Sequence, residues 1–293
     1  MAARVAWVLN LDADLELGAR GNYAPSARTL VAMAPHVERL RTSLLGPEDV
    51  IVDEGAPRGA AQGLPGRAFC PTPRAIALLA TAGAIPEPHP PVEVLRRVNS
   101  RAFASSLGAT LPGAVFVESL DGARVVLASA PARASAWRVK HAFGMAGRNQ
   151  RVIATWPVDR DDEVFLRAGL ARGGLQIEPH VAIDEELALH GVLAVNGSLR
   201  VGGIVRQRCD SRGAWLSTER VDHRALSPRA VADLLHEEVR SVALALCEAG
   251  YFGPFGVDAY SYRDDIGSTY FQPRSEINAR YSMGFAVGFR DAL

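Results

Sequence analysis

The sequence predicts an α/β (α+β) protein in two units, a small Rossmann-like lobe over residues 1–91 and a larger mixed unit over 92–293. Three observations carry this. Short apolar runs alternate with amphipathic helical stretches through the first third; a proline-rich run, Ile85-Pro86-Glu87-Pro88-His89-Pro90-Pro91, then interrupts the pattern; and from Leu175 onward the chain is strand-rich.

In order along the first unit, Val5–Leu11 reads as a strand, Ala27–Leu45 as a helix and Val50-Ile51-Val52 as a short buried strand. Pro71-Thr72-Pro73 opens a helix over Arg74–Ala82, with Thr72 as N-cap and Pro73 at the first helical position. The proline run cannot continue a helix, so the boundary falls there.

In the second unit, Val92–Leu107 reads as helix and Ala114–Glu118 as strand. Ala136–Lys140 and Val152–Trp156 form a pair of strands around the cationic segment 141–151, a hairpin whose flexible tip could fold over a ligand. A helix spans Asp161–Arg172. Strands follow at Leu175–Val181, Glu186–Val195, Ser198–Gln207 and Ala214–Arg220, with Asn196-Gly197 expected as a type I′ hairpin turn. Gly202-Gly203 reads as a bulge or close-packing point. A helix from Ser227-Pro228 to Ala249 carries Val231, Leu234, Leu235, Val239, Val242 and Leu246 on one face, and strands close the chain over Phe255–Tyr260 and Tyr270–Arg280. The expected subdivision of this unit is 92–174, with the lid 141–151, and 175–293.

Composition narrows function by exclusion. With 32 cationic and 32 acidic side chains the formal net charge is +0, so nothing draws the chain to nucleic acid or an anionic membrane. No apolar stretch reaches the length of a membrane span or a signal peptide, and three dispersed cysteines suit a reducing compartment; the expectation is cytoplasmic. Cys70, Cys209 and Cys247 are each expected as buried small apolar residues. The seven histidines form no zinc-type spacing, and the chain has no GxSxG serine-nucleophile motif.

Of the 32 cations only Lys140 is lysine. A composition that otherwise exchanges Lys for Arg keeps one compact ammonium where a planar fork would not serve, as in a tight phosphate site. Lying beside a flexible loop, its loss is expected to leave folding little changed.

Chemistry concentrates near the C-terminus. On a strand, Glu276, Asn278 and Arg280 share one face, and Asp258 alternates with apolar neighbours on the preceding strand. Carboxylate and carboxamide oxygens are hard ligands suited to Mg²⁺, and a guanidinium suits a carboxylate or phosphate.

From about Asn99 to Arg280 these motifs resemble the ATP-grasp superfamily, with Glu276-x-Asn278-x-Arg280 similar to the metal-binding strand of biotin carboxylase and the D-alanine–D-alanine ligases. The resemblance implies an ATP-grasp fold behind a pre-ATP-grasp lobe. It implies Mg²⁺ on Asp258, Glu276 and Asn278, with ATP phosphates on Lys140, Arg101 and Arg148. Adenine would meet Glu178 and the backbone of Val181, in Glu178-Pro179-His180-Val181, and ribose would meet Glu185, with Glu186 competing. Arg280 would hold the acyl substrate, and Lys140 and Arg280 would act in catalysis. The chain departs from the family in having Arg101 where an early lysine is usual, and only Gly144 and Gly147 in the lid.

The implied activity is an ATP-dependent carboxylate–amine (or thiol) ligase forming C–N bonds through an acyl phosphate, with small carboxylate and amine partners. A kinase-type phosphotransferase and a non-catalytic nucleotide-binding protein are the alternatives. A homodimer is compatible with the sequence.

Overall fold

The computed structural model describes residues 4–108, 111–144, 147–210, 215–222 and 230–289. The predicted start of the long helix, Ser227-Pro228, and lid residues Met145 and Ala146 lie outside the described residues.

The first unit holds β1 (Ala6–Val8), α1 (Ala13–Leu17), α2 (Ala27–Leu44), β2 (Val50–Ile51), β3 (Pro65–Ala68), α3 (Pro73–Thr81) and β4 (Ile85–Pro86). The strands form an all-parallel sheet of order β2-β1-β3-β4. All of β1 is buried because helices cover both faces: Ala6 and Val8 pack with Leu79 of α3, and Trp7 packs with Leu40 of α2. Thr72 caps α3 as predicted, accepting from the Ala75 amide.

The sequence reading missed α1, β3 and β4. In β3 the glycine marks close packing: a Cβ on Gly66 would sit 3.2 Å from the Leu79 methyls and 3.3 Å from the Ala84 Cβ, tighter than ordinary contact. β4 contains Pro86 and survives because it is an edge strand.

Next come α4 (Val92–Val98), α5 (Arg101–Ser106), β5 (Val115–Val117), α6 (Leu120–Leu127), β6 (Trp137–His141), β7 (Gln150–Ile153), α7 (Arg160–Leu170) and β8 (Leu175–Pro179). The antiparallel sheet order is β5-β8-β6-β7. The single helix expected over 92–107 is two. Ser100 caps α5 by accepting from Ala102, while the Asn99 carbonyl oxygen Oδ1 accepts from the Ala279 amide at 2.9 Å, so the break between α4 and α5 is spent on a distant strand end. α6 also escaped the reading.

The third group is β9 (Ala182–Leu193), β10 (Leu199–Val201), β11 (Val205–Cys209), β12 (Trp215–Arg220), α8 (Ala230–Glu248), β13 (Gly253–Arg263), β14 (Thr269–Asn278) and α9 (Phe285–Gly288). Its six antiparallel strands run β12-β11-β9-β13-β14, with β10 also on β9. One face packs Leu187, Leu189, Val257 and Ile277 against Leu235, Val239 and Val242 of α8. Leu234, expected on that face, is exposed.

Three further expectations are corrected. The strand predicted over 198–207 splits at Gly202-Gly203, where a Cβ on Gly202 would lie 2.7 Å from the Gly288 carbonyl oxygen. The Asn196-Gly197 turn is not type I′. Gly197 alone has positive φ (82°), its amide bonds to Ala194, and Ala194 bonds across to Ser198, which is a three-residue loop with a left-handed glycine. Of the cysteines, Cys70 is buried but Cys209 is half-buried and Cys247 exposed.

Candidate active site

Arg101, Lys140, Arg148, Glu178, Val181, Glu185, Asp258, Glu276, Asn278 and Arg280 all line one cleft of about 1420 Å³. The fold brings them there from every part of the chain beyond residue 100.

One wall is the sheet of β6 and β8. On β6, Trp137 and Val139 enter the core and the alternate residues Arg138 and Lys140 face the cleft. Lys140 Nζ lies 2.6 Å from Glu178 Oε1, the carboxylate being nearly inaccessible. Lys140 is therefore half of a buried ion pair, and the expectation that its loss would hardly disturb folding is corrected. Arg138, missed in the sequence, donates to Gln150 at 3.2 Å and lies 3.0 Å from His180 Nδ1. Its position two residues before Lys140 on a strand was the available signal. Burial, and then Arg138, push the His180 pKa down, and since a guanidinium can only donate, Nδ1 is the acceptor of this contact.

β6 and β7 form the predicted hairpin, with Lys140 opposite Gln150. Arg101 ties its base to the opposite wall. Its backbone amide donates to Ala142, Nη1 donates to the His141 carbonyl at 2.8 Å, and Nη2 meets Glu276 Oε1 at 2.7 Å. A Cβ on Gly144 would come within 3.0 Å of the Arg148 carbonyl oxygen and 3.1 Å of Arg101 Nη1, so the glycine eases the approach of the two sides of the hairpin base beside Arg101.

The other wall is β9, β13 and β14. Asp258 and Glu276 are directly opposed across β13 and β14. A bulge between Asp258 and Tyr260 takes up the extra residues around Pro273, and Ser275 Oγ donates to the Asp258 carbonyl at 3.1 Å. Asn278 Nδ2 and Gln207 Nε2 each donate to Asp258 at 2.8 Å. Burial, and then the charge of Glu276, nonetheless raise the Asp258 pKa to about 7. Gln207 and Glu186 are register partners, and Glu186 also pairs with Tyr260, two residues beyond Asp258. Glu185 instead accepts from Arg206 Nε at 2.6 Å.

These oxygens fit a hard cation. Two carboxylates face each other in a partly dehydrated place, and Asn278, with its NH₂ on Asp258, keeps its carbonyl oxygen as a further donor. Among the described residues no group of three or more His, Cys, Asp or Glu side chains is arranged to hold a metal, so the carboxamide would be the third ligand.

Arg280 lies past the end of β14 and turns to the first lobe. Nη2 meets Asp14 Oδ2 at 2.6 Å, Nε reaches Asp14 Oδ1 at 3.3 Å and Nη1 donates to the Tyr281 carbonyl. Burial opposes its charge, but Asp14 outweighs burial and holds the guanidinium firmly protonated. Asp14, on α1, gave no sequence signal because its partner is 266 residues away.

A small parallel-sheet lobe, an antiparallel lid sheet and a large antiparallel sheet enclosing one cleft define the ATP-grasp fold, and the chain has that fold. It is similar to a biotin carboxylase from Campylobacter jejuni solved with a βγ-ATP complex, at 14% identity and TM-score 0.58, over 99% of this chain and 68% of that one. D-alanyl-alanine synthetase A from Vibrio cholerae matches at 11% identity and TM-score 0.52, over 98% of this chain and 92% of that one. D-cycloserine synthetase matches at 16% and 0.53, over 98% of both chains. No protein-family model and no curated protein matches the chain by sequence. No helix among the described residues is long and apolar enough to cross a membrane.

Proposed function

We propose that the protein is an ATP-dependent ligase that joins a small carboxylic acid to an amine, or to a thiol, through an acyl phosphate. The observation that carries this reading is the opposition of a cationic wall, Arg138 and Lys140, to a carboxylate wall, Asp258 and Glu276, across one cleft. A triphosphate and a divalent cation need those two surfaces together.

In this reading residues 92–293 form the nucleotide-binding unit and residues 1–91 the lobe that closes the acid-binding end. Glu178 and the Val181 backbone receive adenine, and Glu185 or its neighbour Glu186 receives ribose. Lys140, Arg101 and Arg148 hold the phosphates, with Arg138 beside them. Asp258, Glu276 and Asn278 would hold Mg²⁺, which when bound offsets phosphate charge and orients the γ-phosphoryl group.

The chain's own groups then act on the acid. Arg280, kept in place by Asp14, orients the carboxylate. A carboxylate oxygen attacks the γ-phosphorus and the bond to ADP breaks, the charge spreading onto oxygens met by Lys140 and Arg101. The amine attacks the acyl carbon, the C–O bond to phosphate breaks, and the amine proton leaves. The lid of β6 and β7 shields the acyl phosphate from water.

The test is product analysis. With MgATP, a suitable acid and hydroxylamine, the protein is expected to release ADP and a hydroxamate in equal amounts. A stable phosphorylated alcohol would make it a kinase. Mg²⁺-dependent protection by ATP without any turnover would make it a nucleotide-binding protein.

A further inference from the structure

The cleft changes character at the end away from Lys140. There its lining comes from Leu11 after β1, Phe69 after β3, Met33 on α2 and Met283 after Arg280, with Trp215 and Leu216 of β12 closing the side. His36 of α2 lies 6.0 Å from the Trp215 ring, the Arg39 guanidinium is over the same ring at 5.5 Å, and Arg39 Nη1 donates to the Leu216 carbonyl. The first lobe and the large sheet thus build this end jointly.

Two donors stand at its inner edge. The Arg280 guanidinium sits over the Phe69 ring, 5.5 Å from its centroid. Three of its five N–H groups are used by Asp14 and Tyr281, which leaves two. The second donor is Ser282, a largely buried residue of the cleft lining whose Oγ lies 2.7 Å from His190 Nε2. His190 is fully buried and its Nδ1 has no hydrogen-bond partner. A proton on Nδ1 would be an orphaned buried N–H; a proton on Nε2 is satisfied by Ser282. His190 therefore donates to Ser282, and the Ser282 proton is left to donate into the cleft.

Resting on the ligase reading above, we infer that this end is a subsite for a carboxylic acid with an apolar body. Arg280 and Ser282 hold its carboxylate, and its chain lies on the half-buried Leu11 and Met283, which are backed by the buried Phe69 and flanked by the buried Met33. Very small or wholly polar acids would leave this surface wet.

The experiment uses the intact protein at saturating MgATP with hydroxylamine as acceptor. ADP release is measured for acetate, butyrate, hexanoate and 3-phenylpropanoate, and in a parallel arm for glycine, alanine, leucine and phenylalanine, which separates free acids from amino acids. MgATP protection against thermal unfolding is read independently. KM is expected to fall about fourfold per added methylene until the subsite is full, in at least one arm. Met33→Asp is expected to raise KM for the large acids about tenfold or more, with MgATP protection unchanged. Ser282→Ala is expected to raise KM for all acids alike and to keep the dependence on body size; should Met33→Asp not fold, Met283→Gln replaces it.

A KM independent of body size in both arms, or turnover confined to acetate and glycine, overturns the subsite even while MgATP still protects. Absence of MgATP protection in the wild type overturns the nucleotide reading instead.

Discussion

The two sheets that line the cleft have the same architecture and opposite chemistry. The β6–β8 sheet presents Arg138 and Lys140 with one carboxylate, Glu178; the β11–β9–β13–β14 sheet presents Asp258, Glu276, Glu185 and Glu186 with two carboxamides, Gln207 and Asn278, and one cation, Arg206. Each buries an apolar alternate face, against α6 and α7 in one case and α8 in the other. Strand periodicity thus lets one set of residues fold the sheet while the other is free to carry charge. The difference teaches how the ligand-free protein tolerates both faces: Lys140 is paired within its own sheet by Glu178, and Glu185 within its own sheet by Arg206, whereas Glu276 borrows Arg101 from α5.

The largest expected effect comes from breaking the cationic wall. Lys140→Met should lower ATP turnover by about 10²–10³-fold. It should also destabilise the fold by about 3 kcal/mol, because the buried Glu178 loses its ion-pair partner. Urea unfolding of Lys140→Met, Glu178→Gln and the double variant checks this: the double variant should be more stable than Lys140→Met, and strictly additive losses would show that the pair is not coupled.

The acidic wall is tested by Glu276→Gln. ATP should raise the melting temperature of the wild type far more with Mg²⁺ than without, and the variant should lose most of that difference. Equal protection with and without Mg²⁺ in the wild type would remove the cation from this wall.

A third prediction concerns the ground under the acidic wall, where His190 is enclosed by Gly256, Gly284, Phe285 and Ser282. Burial lowers its pKa from 6.5 to about 4. The unfolded chain takes up this proton below pH 6.5 and the folded chain does not until about 4. The neutral histidine's contribution is therefore present above pH 6.5 and is lost as pH falls from 6.5 to 4, by up to about 3 kcal/mol. His190→Gln should flatten that part of the stability–pH curve; an unchanged slope would assign it to other groups.

The smallest effect sharpens the contrast within the cationic wall. Arg138 has no ion pair with a carboxylate among the described residues, so Arg138→Gln should cost no more than about 0.5 kcal/mol of stability. It should still raise KM for MgATP several-fold, measured by steady-state ADP release. A stability loss as large as that of Lys140→Met would mean the two cations play the same structural part.

What the sequence determined by itself is what depends on local order. Alternation placed Asp258 and Glu276 on cleft-facing positions of strands, Thr72 and Pro73 marked a helix start, and a lone lysine among 32 cations singled out one position. These signals survive because strand period, capping and composition act over a few residues. Only the tertiary structure decided who pairs with whom. Asp14 with Arg280, Arg101 with Glu276 and Asn99 with Ala279 are 266, 175 and 180 residues apart, and nothing in either neighbourhood names the partner. The same holds for β3, whose Pro-Gly-Arg-Ala reads as a turn until Leu79 is seen against Gly66, and for the apolar end of the cleft, assembled from α2, β12 and two strand ends. Long-range contacts are selected by burial and charge compensation in the folded chain, and those terms exist only once the chain has brought the surfaces together.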